Sequence, residues 1–357
     1  MEFLFMHPRL DEFLTIQKIL TAEQILINPL KPKDYSHCEL FRYSTEFDNA
    51  KCLIDRNIAV YLIKLISGMD VSKFDHARNC YRITAGLQAF FSAAGILSEP
   101  GFAYHEYLAS TNMNQAELDL AQFRSADNLD ANIYLDIATN KRNHVPVEVV
   151  PYFEPEELKN IPHIPEKLHT VEFNKPIIKK ALIFKHKASD DYEAMLCLLE
   201  WMKSDYLLSA PAFHFMSLYF SQKRISRMIK GVSQKAIENA AFDLAILHEL
   251  MKNVKRDHDT LWLLASFDNA IKAAASLTFI GESDPDEYFD MIKAEYKTMW
   301  GKKNDYGKKL LLKFKLIYQE QESGKRQLQL DSRPPNYISN KWEEVDAEYL
   351  QIFGENI

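Results

Sequence analysis

The 357-residue sequence is poor in cysteine and glycine and has no apolar run of about 18 residues. Its four cysteines show no CxxC pair and no pairing with histidine, which argues against a structural zinc site and indicates buried, reduced thiols. Ten glycines against 22 phenylalanines and 17 tyrosines predict few tight turns and much helix. The first residues, MEFLFMHPRLDEF, lack a basic segment followed by an apolar one. We therefore expect a cytoplasmic protein without membrane association.

Several catalytic signatures are also missing from the sequence. It contains no Gly-rich phosphate loop, no G-x-S-x-G and no H-E-x-x-H, which disfavours a nucleotide-driven motor or a serine hydrolase. The net charge is −7, so any contact with nucleic acid must depend on local basic patches. A hydrophobic fraction of 47% and a charged fraction of 26% are typical of a globular protein. The length allows one large domain or two smaller ones.

Four acidic residues stand out because each is embedded in a different apolar segment. Asp55 ends KCLID, Glu106 lies in GFAYHEYLAS, Asp243 in ENAAFDLAILHEL and Asp268 in LWLLASFDNAIKAAA. An unpaired buried charge costs several kcal/mol, so four such positions suggest carboxylates gathered around a ligand. Hard carboxylate oxygens are what Mg²⁺ or Mn²⁺ prefers. The sequence therefore predicts a site for one of these cations.

The local patterns predict a helix-rich α/β protein. KCLID and LWLLAS have the composition of short buried strands, and each leads into an aspartate. In an open parallel sheet, ligands bind at the carboxyl ends of the strands, where Asp55 and Asp268 would lie. Helical spacing follows in IAVYLIKLISG, which Gly68 would end, and in VSQKAIENAAFDLAILHELMKNV. We also expect a helix from about 74 to 95 and two adjacent helices in DDYEAMLCLLEWMKSDYLL and APAFHFMSLYFS. A charged helical pair is expected from about 284 to 322, followed by a terminal docking helix.

The order of the polar positions resembles the PIN domain, a metal-dependent nuclease fold. An Asp-x-Asn after a strand, a Glu on a helix, an Asp in a helix and a Ser-x-Asp after a strand occur here as LIDRNI, AYHEYL, NAAFDLAIL and LLASFD. The resemblance implies a core with a parallel sheet and catalytic metal ligands at Asp55, Glu106, Asp243 and Asp268. It also implies that Asn57 and Ser266 are supporting groups that order the first and last aspartates.

The same resemblance implies a function and partners. Members of the family commonly cleave RNA, often as the toxin of a toxin–antitoxin pair or in RNA processing. We therefore expect Mg²⁺- or Mn²⁺-dependent phosphodiester hydrolysis by an activated water, with RNA as substrate. A protein inhibitor or a second copy of the chain is a further expected partner.

The spacing of the four segments predicts an enlarged architecture. Because Glu106 and Asp243 are 137 positions apart, a helical insertion must lie between them. We expect a core formed by 49–112 and 233–282, a helical insertion over 113–232, an N-terminal segment over 1–48 and a helical C-terminal extension over 283–357. The insertion could act as a lid, an oligomerisation surface or a built-in inhibitor.

Basic clusters supply the second element of a nuclease. SQKRISRMIKG precedes the Asp243 segment, and we expect it to contact nucleic acid through Lys223, Arg224, Arg227 and Lys230. IIKKALIFKHK and WGKKNDYGKKLLLKFK are further clusters, the second with interleaved aromatic residues. The alternative for each cluster is a solvated helix face that balances acidic neighbours.

Each carboxylate also has a structural alternative. Asp55 and Asp268 could cap the helices that follow them, Glu106 could pair with Arg56 or Arg82, and Asp243 could be a solvated helix position. For the whole chain, the main alternative is a non-catalytic PIN-like or helical interaction module, such as a regulator or defence component. A two-carboxylate enzyme such as a glycosidase is the third, and it would need one pair about 5 to 10 Å apart.

Overall fold

The computed structural model describes most of the chain. The described residues are 8–31, 47–73, 80–101, 103–104, 113–156, 164–221, 228–278, 285–301 and 305–354. The chain divides into two compact units, of which the first comprises Met1–Leu168 and His248–Asp268 and the second comprises His169–Leu247 and Asn269–Ile357.

The first unit combines a small sheet with helices. Its strands are β1 (Leu26–Ile27), β2 (Asn49–Ile54), β3 (Ile96–Glu99) and β4 (Thr260–Ala265). Its helices are α1 (Leu10–Glu23), α2 (Arg56–Ile66), α3 (Cys80–Ala94), α4 (Met113–Asp127) and α5 (Ala131–Ala138). Single 3₁₀ turns lie at Val71–Lys73 and Val147–Val149. The helix expected from about 74 to 95 corresponds to α3, and residues 74–79 lie outside the described ranges. Helix α1 and strand β3 were not predicted from the sequence.

The four described strands form a mixed sheet in the order β1-β4-β2-β3. Strand β2 lies between β4 and β3 and runs parallel to both, while β1 pairs antiparallel with β4. The pairing of Ile54 with Ala265 brings the carboxyl ends of β2 and β4 level with each other. The expected helix-rich α/β class is confirmed, whereas the sheet that was expected to be parallel carries an antiparallel edge strand.

Burial explains why β2 and β4 form the centre of this sheet. Leu53 and Ile54 of β2 are almost completely buried, as are Leu263 and Leu264 of β4. Strands that are covered on both faces by helices need nearly continuous apolar runs, which KCLID and LWLLAS provide. These two expected strands are confirmed.

Helix α2 carries its apolar residues along one side and ends as the sequence predicted. Ile58, Leu62 and Leu65 are buried. Gly68 has φ +81°, and its N–H donates to Leu65 O at 3.1 Å, while the N–H of Met69 donates to Lys64 O at 3.2 Å. These two bonds form a Schellman motif, whose left-handed residue is most easily a glycine.

The core of the first unit surrounds α3, which is buried on nearly every side. Gly86 lies where this helix meets α1 and α5, and a Cβ placed there would come within 3.1 Å of Ile16 Cγ2 and 3.5 Å of Ala138 Cβ. The glycine therefore permits close packing between helices, at the usual cost of a glycine inside a helix.

The regular secondary structure described in the second unit is entirely helical. Its helices are α6 (Ile164–Lys187), α7 (Asp191–Ser204), α8 (Ala210–Phe220), α9 (Gln234–Arg256), α10 (Asn269–Thr278), α11 (Pro285–Trp300), α12 (Tyr306–Glu322), α13 (Lys325–Asp331) and α14 (Tyr337–Phe353). The three boundaries between the units fall near the start of α6, within α9 and directly before α10. The adjacent pair α7 and α8 and the charged pair α11 and α12 are confirmed.

Helix α8 is the most deeply buried helix of the second unit. Its residues from Pro211 to Phe220 are all buried. His214 lies within it, with Nδ1 2.8 Å from the Tyr296 hydroxyl and Nε2 at the hydroxyl of Tyr288, which donates to Leu277 O at 3.0 Å. Burial lowers the pKa of His214 to about 3, so the ring is neutral at physiological pH.

The terminal helix docks as expected. Tyr349 of α14 is buried, and its hydroxyl donates to Val232 O at 2.6 Å. Trp342 donates through Nε1 to the Tyr206 hydroxyl at 2.5 Å. Of the helices in the described ranges, none has both the length and the apolar character required to traverse a lipid bilayer.

Candidate metal centre at the ends of two parallel strands

Asp55 follows β2 directly and occupies the N-cap position of α2. Its backbone is extended, with φ −69° and ψ 148°, but its carboxylate makes no capping bond to the helix. Oδ2 instead accepts hydrogen bonds from Asn57 Nδ2 at 2.6 Å and from Ser266 Oγ at 2.5 Å. The position of Asp55 is that of a cap, while its side chain is held by two polar groups, one of them from the neighbouring strand.

Ser266 joins the ends of β2 and β4. It follows β4 directly and is 0% exposed. Besides donating to Asp55, its Oγ accepts from the backbone N–H of Asp268 at 2.9 Å. A hydroxyl can donate one hydrogen bond and accept others, so this side chain contacts both the carboxylate of Asp55 and the backbone of Asp268.

The backbone around this link is also fixed. The N–H of Asp55 donates to Ala265 O at 3.0 Å, which continues the β2–β4 pairing past the strand ends. The N–H of Phe267 lies 3.5 Å from Asn57 Oδ1, and the N–H of Ser266 donates to Ile25 O at 3.0 Å. The Asp-x-Asn and Ser-x-Asp segments thus contact each other through side chains predicted from the sequence to be supporting groups.

The structure brings together four of the predicted residues: Asp55, Asn57, Ser266 and Asp268. The side chain of Asp268 is partly exposed, and it directly precedes α10. Glu106 lies outside the described residues. Asp243 is a half-buried residue of α9 in the second unit. The nucleic-acid residues Lys223, Arg224 and Arg227 also lie outside the described residues, and Lys230 is exposed.

Two groups near this edge of the sheet were missed from the sequence. Glu99 ends β3, lies in register with Leu53 of β2, and accepts from the N–H of Gly101 through Oε1 at 3.1 Å. The sequence signal for Glu99 is the same as for KCLID, namely an acid after a short apolar run, here ILSE. The strand has only four residues, and this short run was not recognised as a strand. Phe267 and Tyr61 form the other group, with ring centroids 5.6 Å apart.

Two titratable groups of the first unit, Cys52 and His248, are neutral at physiological pH. Cys52 is buried in β2, and burial raises the pKa of its thiol well above the usual value, so it is not a thiolate. Burial lowers the pKa of His248 to about 4, so this imidazole is uncharged at neutral pH. The anionic character of the strand ends therefore comes from carboxylates.

The donor set can be compared with the needs of a metal ion. Within the part of the chain that the structure describes, no group of three His, Cys, Asp or Glu residues is close enough to hold one. Mg²⁺, however, is usually bound by one or two carboxylates together with waters and substrate phosphates. Two carboxylates follow these strand ends, and Ser266 and Asn57 orient that of Asp55.

Comparison of the chain with protein-family models, with curated proteins and with solved structures found no match.

Proposed function

We propose that the first unit is a PIN-like nuclease, which binds Mg²⁺ or Mn²⁺ at the ends of β2 and β4 and hydrolyses phosphodiester bonds of RNA. The observation that carries this proposal is the bond from Ser266 Oγ to Asp55 Oδ2, together with the bond from Asp268 N to the same hydroxyl. It links two aspartates on neighbouring parallel strands, where ligands of open α/β sheets bind.

In this proposal each residue of the strand ends has a defined task. Asp55 and Asp268 hold the cation, while Asn57 and Ser266 fix the rotamer of Asp55. Ser266 is buried, so its hydroxyl stays in place when the site fills. A bound divalent ion polarises the phosphate and lowers the pKa of water. Glu106 and Asp243, the further acids implied by the resemblance, have no task in this site, since Glu106 lies outside the described residues and Asp243 belongs to the second unit.

The test compares carboxylates at the two ends of the same strands. Asp55→Asn and Asp268→Asn should abolish Mn²⁺-dependent cleavage of a fluorogenic single-stranded RNA. Asp48→Asn and Asp259→Asn are matched controls, because these exposed aspartates lie at the amino ends of β2 and β4, where Asp48 N donates to Asp259 O at 2.9 Å. The controls should retain wild-type rates.

A second measurement detects metal binding through thermal stability and does not require cleavage of RNA. A ligand that binds only the folded state stabilises it by about 2.7 kcal/mol at 100 times its dissociation constant, so Mn²⁺ should raise the melting temperature of the wild type. Ser266→Ala should weaken Mn²⁺ binding about 10- to 100-fold, the usual effect of losing a group that orients a ligand. Equal cleavage by wild type and Asp55→Asn would contradict the proposal.

A second candidate function is a non-catalytic interaction module with the same fold. It is favoured by the finding that the described residues contain no group of three metal-ligating side chains. It predicts no Mn²⁺-dependent stabilisation and no cleavage by the wild type, whereas the nuclease proposal requires both.

A further inference from the structure

Helix α12 carries two leucines on its solvent-facing side. Leu312 and Leu316 are each 55% exposed and lie about one turn apart, so their side chains are neighbours on one face. Phe314, midway between them in sequence, is buried and points about 200° away around the helix. A helix that packs on a core with one face usually carries polar residues on the other. The packing of α12 within its own chain therefore does not account for the two leucines.

Opposite charges flank the two leucines on the same face. Lys309 is exposed, and the side chain of Glu320 is 51% exposed. These two residues are three helical turns apart, so they share one side of the helix at a separation of about 16 Å along its axis. Glu320 also lies 2.9 Å from Lys203 Nζ of α7, a contact that keeps its carboxylate at this surface. Along α12 the face thus presents a positive charge, two apolar side chains and a negative charge, in that order.

This order makes the face complementary to itself. In a twofold-symmetric dimer, a patch meets its own copy in the opposite direction. The midpoints of the leucine pair and of the charged pair both fall within one residue of Phe314. A second α12 running antiparallel across this point would place Leu312 against the partner's Leu316. It would also place Lys309 against the partner's Glu320, whereas a parallel copy would bring like charges together.

We propose that α12 is the contact surface of a homodimer, in which two copies of the helix pack antiparallel. Leu312 and Leu316 form its apolar centre, and Lys309 of one copy pairs with Glu320 of the other on each side. A second copy of the chain suits this face better than a membrane surface, because Glu320 would meet anionic headgroups. One helix face is small beside the roughly 1,600 Å² of standard interfaces, so the dimer should be weak. The proposal does not depend on the nuclease function.

The test removes the apolar centre and measures self-association. Sedimentation equilibrium of the full-length protein in EDTA, from about 5 to 500 µM, should show reversible formation of a dimer. The Leu312→Gln/Leu316→Gln variant keeps the net charge of the wild type, and it should raise the dissociation constant at least about tenfold. Leu328→Gln/Leu350→Gln is the matched control, because these leucines are 73% and 59% exposed but lie on α13 and α14. The control should dimerise within about twofold of wild type.

A charge exchange tests the antiparallel direction. Lys309→Glu places like charges opposite each other at both ends of the contact, and Glu320→Lys does the same with the opposite sign. Each variant alone should dimerise about fivefold more weakly than the wild type. An equimolar mixture of the two should form a heterodimer, because each variant supplies the charge that the other lacks. Lys308→Glu makes the same change in charge but would face the partner's Gln319, so it should dimerise within about twofold of wild type.

Several results would overturn the homodimer once circular dichroism and melting curves show that the variants are folded. A wild type that stays monomeric at the highest concentration would do so, as would equal dissociation constants for the two leucine double variants. A mixture of the charge variants that associates no more strongly than each variant alone would exclude the antiparallel contact and with it the proposal. A monomeric wild type that floats with vesicles of phosphatidylglycerol and phosphatidylcholine would show that the face contacts a membrane instead.

Discussion

The bond between Ser266 and Asp55 allows a quantitative prediction, because it joins a buried hydroxyl to a carboxylate. Ser266 Oγ donates to Asp55 Oδ2 from a position that is 0% exposed. Hydrogen bonds to charged groups contribute about 1.5–3 kcal/mol. We therefore expect a coupling energy of about 2 kcal/mol between Asp55→Ala and Ser266→Ala, equivalent to a factor of about 30 in an unfolding equilibrium.

A double-mutant cycle isolates this bond from other effects of the substitutions. Asp55→Ala also deprives Asn57 Nδ2 of its acceptor and changes the charge near Asp268. Both effects are present whether residue 266 is serine or alanine, so they cancel in the cycle. The remaining difference is the interaction between residues 55 and 266.

The assay must report on the first unit alone. Of the four tryptophans, Trp262 lies in the first unit and the others lie in the second. Incorporation of 5-fluorotryptophan gives a separate ¹⁹F resonance for Trp262, whose intensity during urea titration follows unfolding of the first unit. Free energies then come from linear extrapolation to zero urea.

A control cycle pairs Asp55→Ala with Ser67→Ala. Ser67 lies at the other end of α2, about 18 Å from Asp55 along the helix, where its hydroxyl donates to Ile63 O at 2.9 Å. Distant substitutions add within about 0.5 kcal/mol, so this cycle should show no coupling. The reasoning is refuted if the Asp55–Ser266 coupling is as small as that of the control.

Two further predictions concern the second unit. Burial lowers the pKa of His214 to about 3, so below about pH 6.5 the unfolded chain binds a proton that the folded chain does not. The free energy of unfolding should therefore fall by about 2 kcal/mol between pH 7 and pH 5. In urea titrations, the His214→Phe variant should lack this part of the loss. A Cβ at Gly307 would lie 2.3 Å from the backbone oxygen of Tyr296, so Gly307→Ala should cost about 1–3 kcal/mol in thermal unfolding. Gly354→Ala, where nothing lies within 4 Å, should be close to neutral, and equal effects at the two glycines would contradict the packing argument.

Sequence patterns predicted those parts of the fold that have a strong local signal. The strands at KCLID and LWLLAS are bounded apolar runs, and both are confirmed. The stop at Gly68 is confirmed because a left-handed residue after a helix favours glycine so strongly. The resemblance implied that Asn57 and Ser266 are supporting groups for the aspartates, and both side chains contact Asp55.

Other features had no local signal. Strand β1 has two residues and β3 has four, and their conformation is set by pairing with β4 and β2 rather than by their own composition. Glu99 was missed because ILSE, although it ends in an acid as KCLID does, has only four residues. The extent of the two units could not be predicted from the sequence either. One boundary lies inside the continuous helix α9, so the chain passes from one unit to the other without a break in the helical pattern.

The polar link at the strand ends is not needed to hold the sheet together. Backbone pairing already sets the register of β2 and β4 from Asn49–Thr260 to Ile54–Ala265. Replacing both partners of a buried hydrogen bond by apolar groups of similar shape is often neutral or stabilising. A buried serine that orients a carboxylate therefore gains little for folding alone. Its effect is to fix the direction of the Asp55 carboxylate, which the proposed cation site requires and a packed core does not.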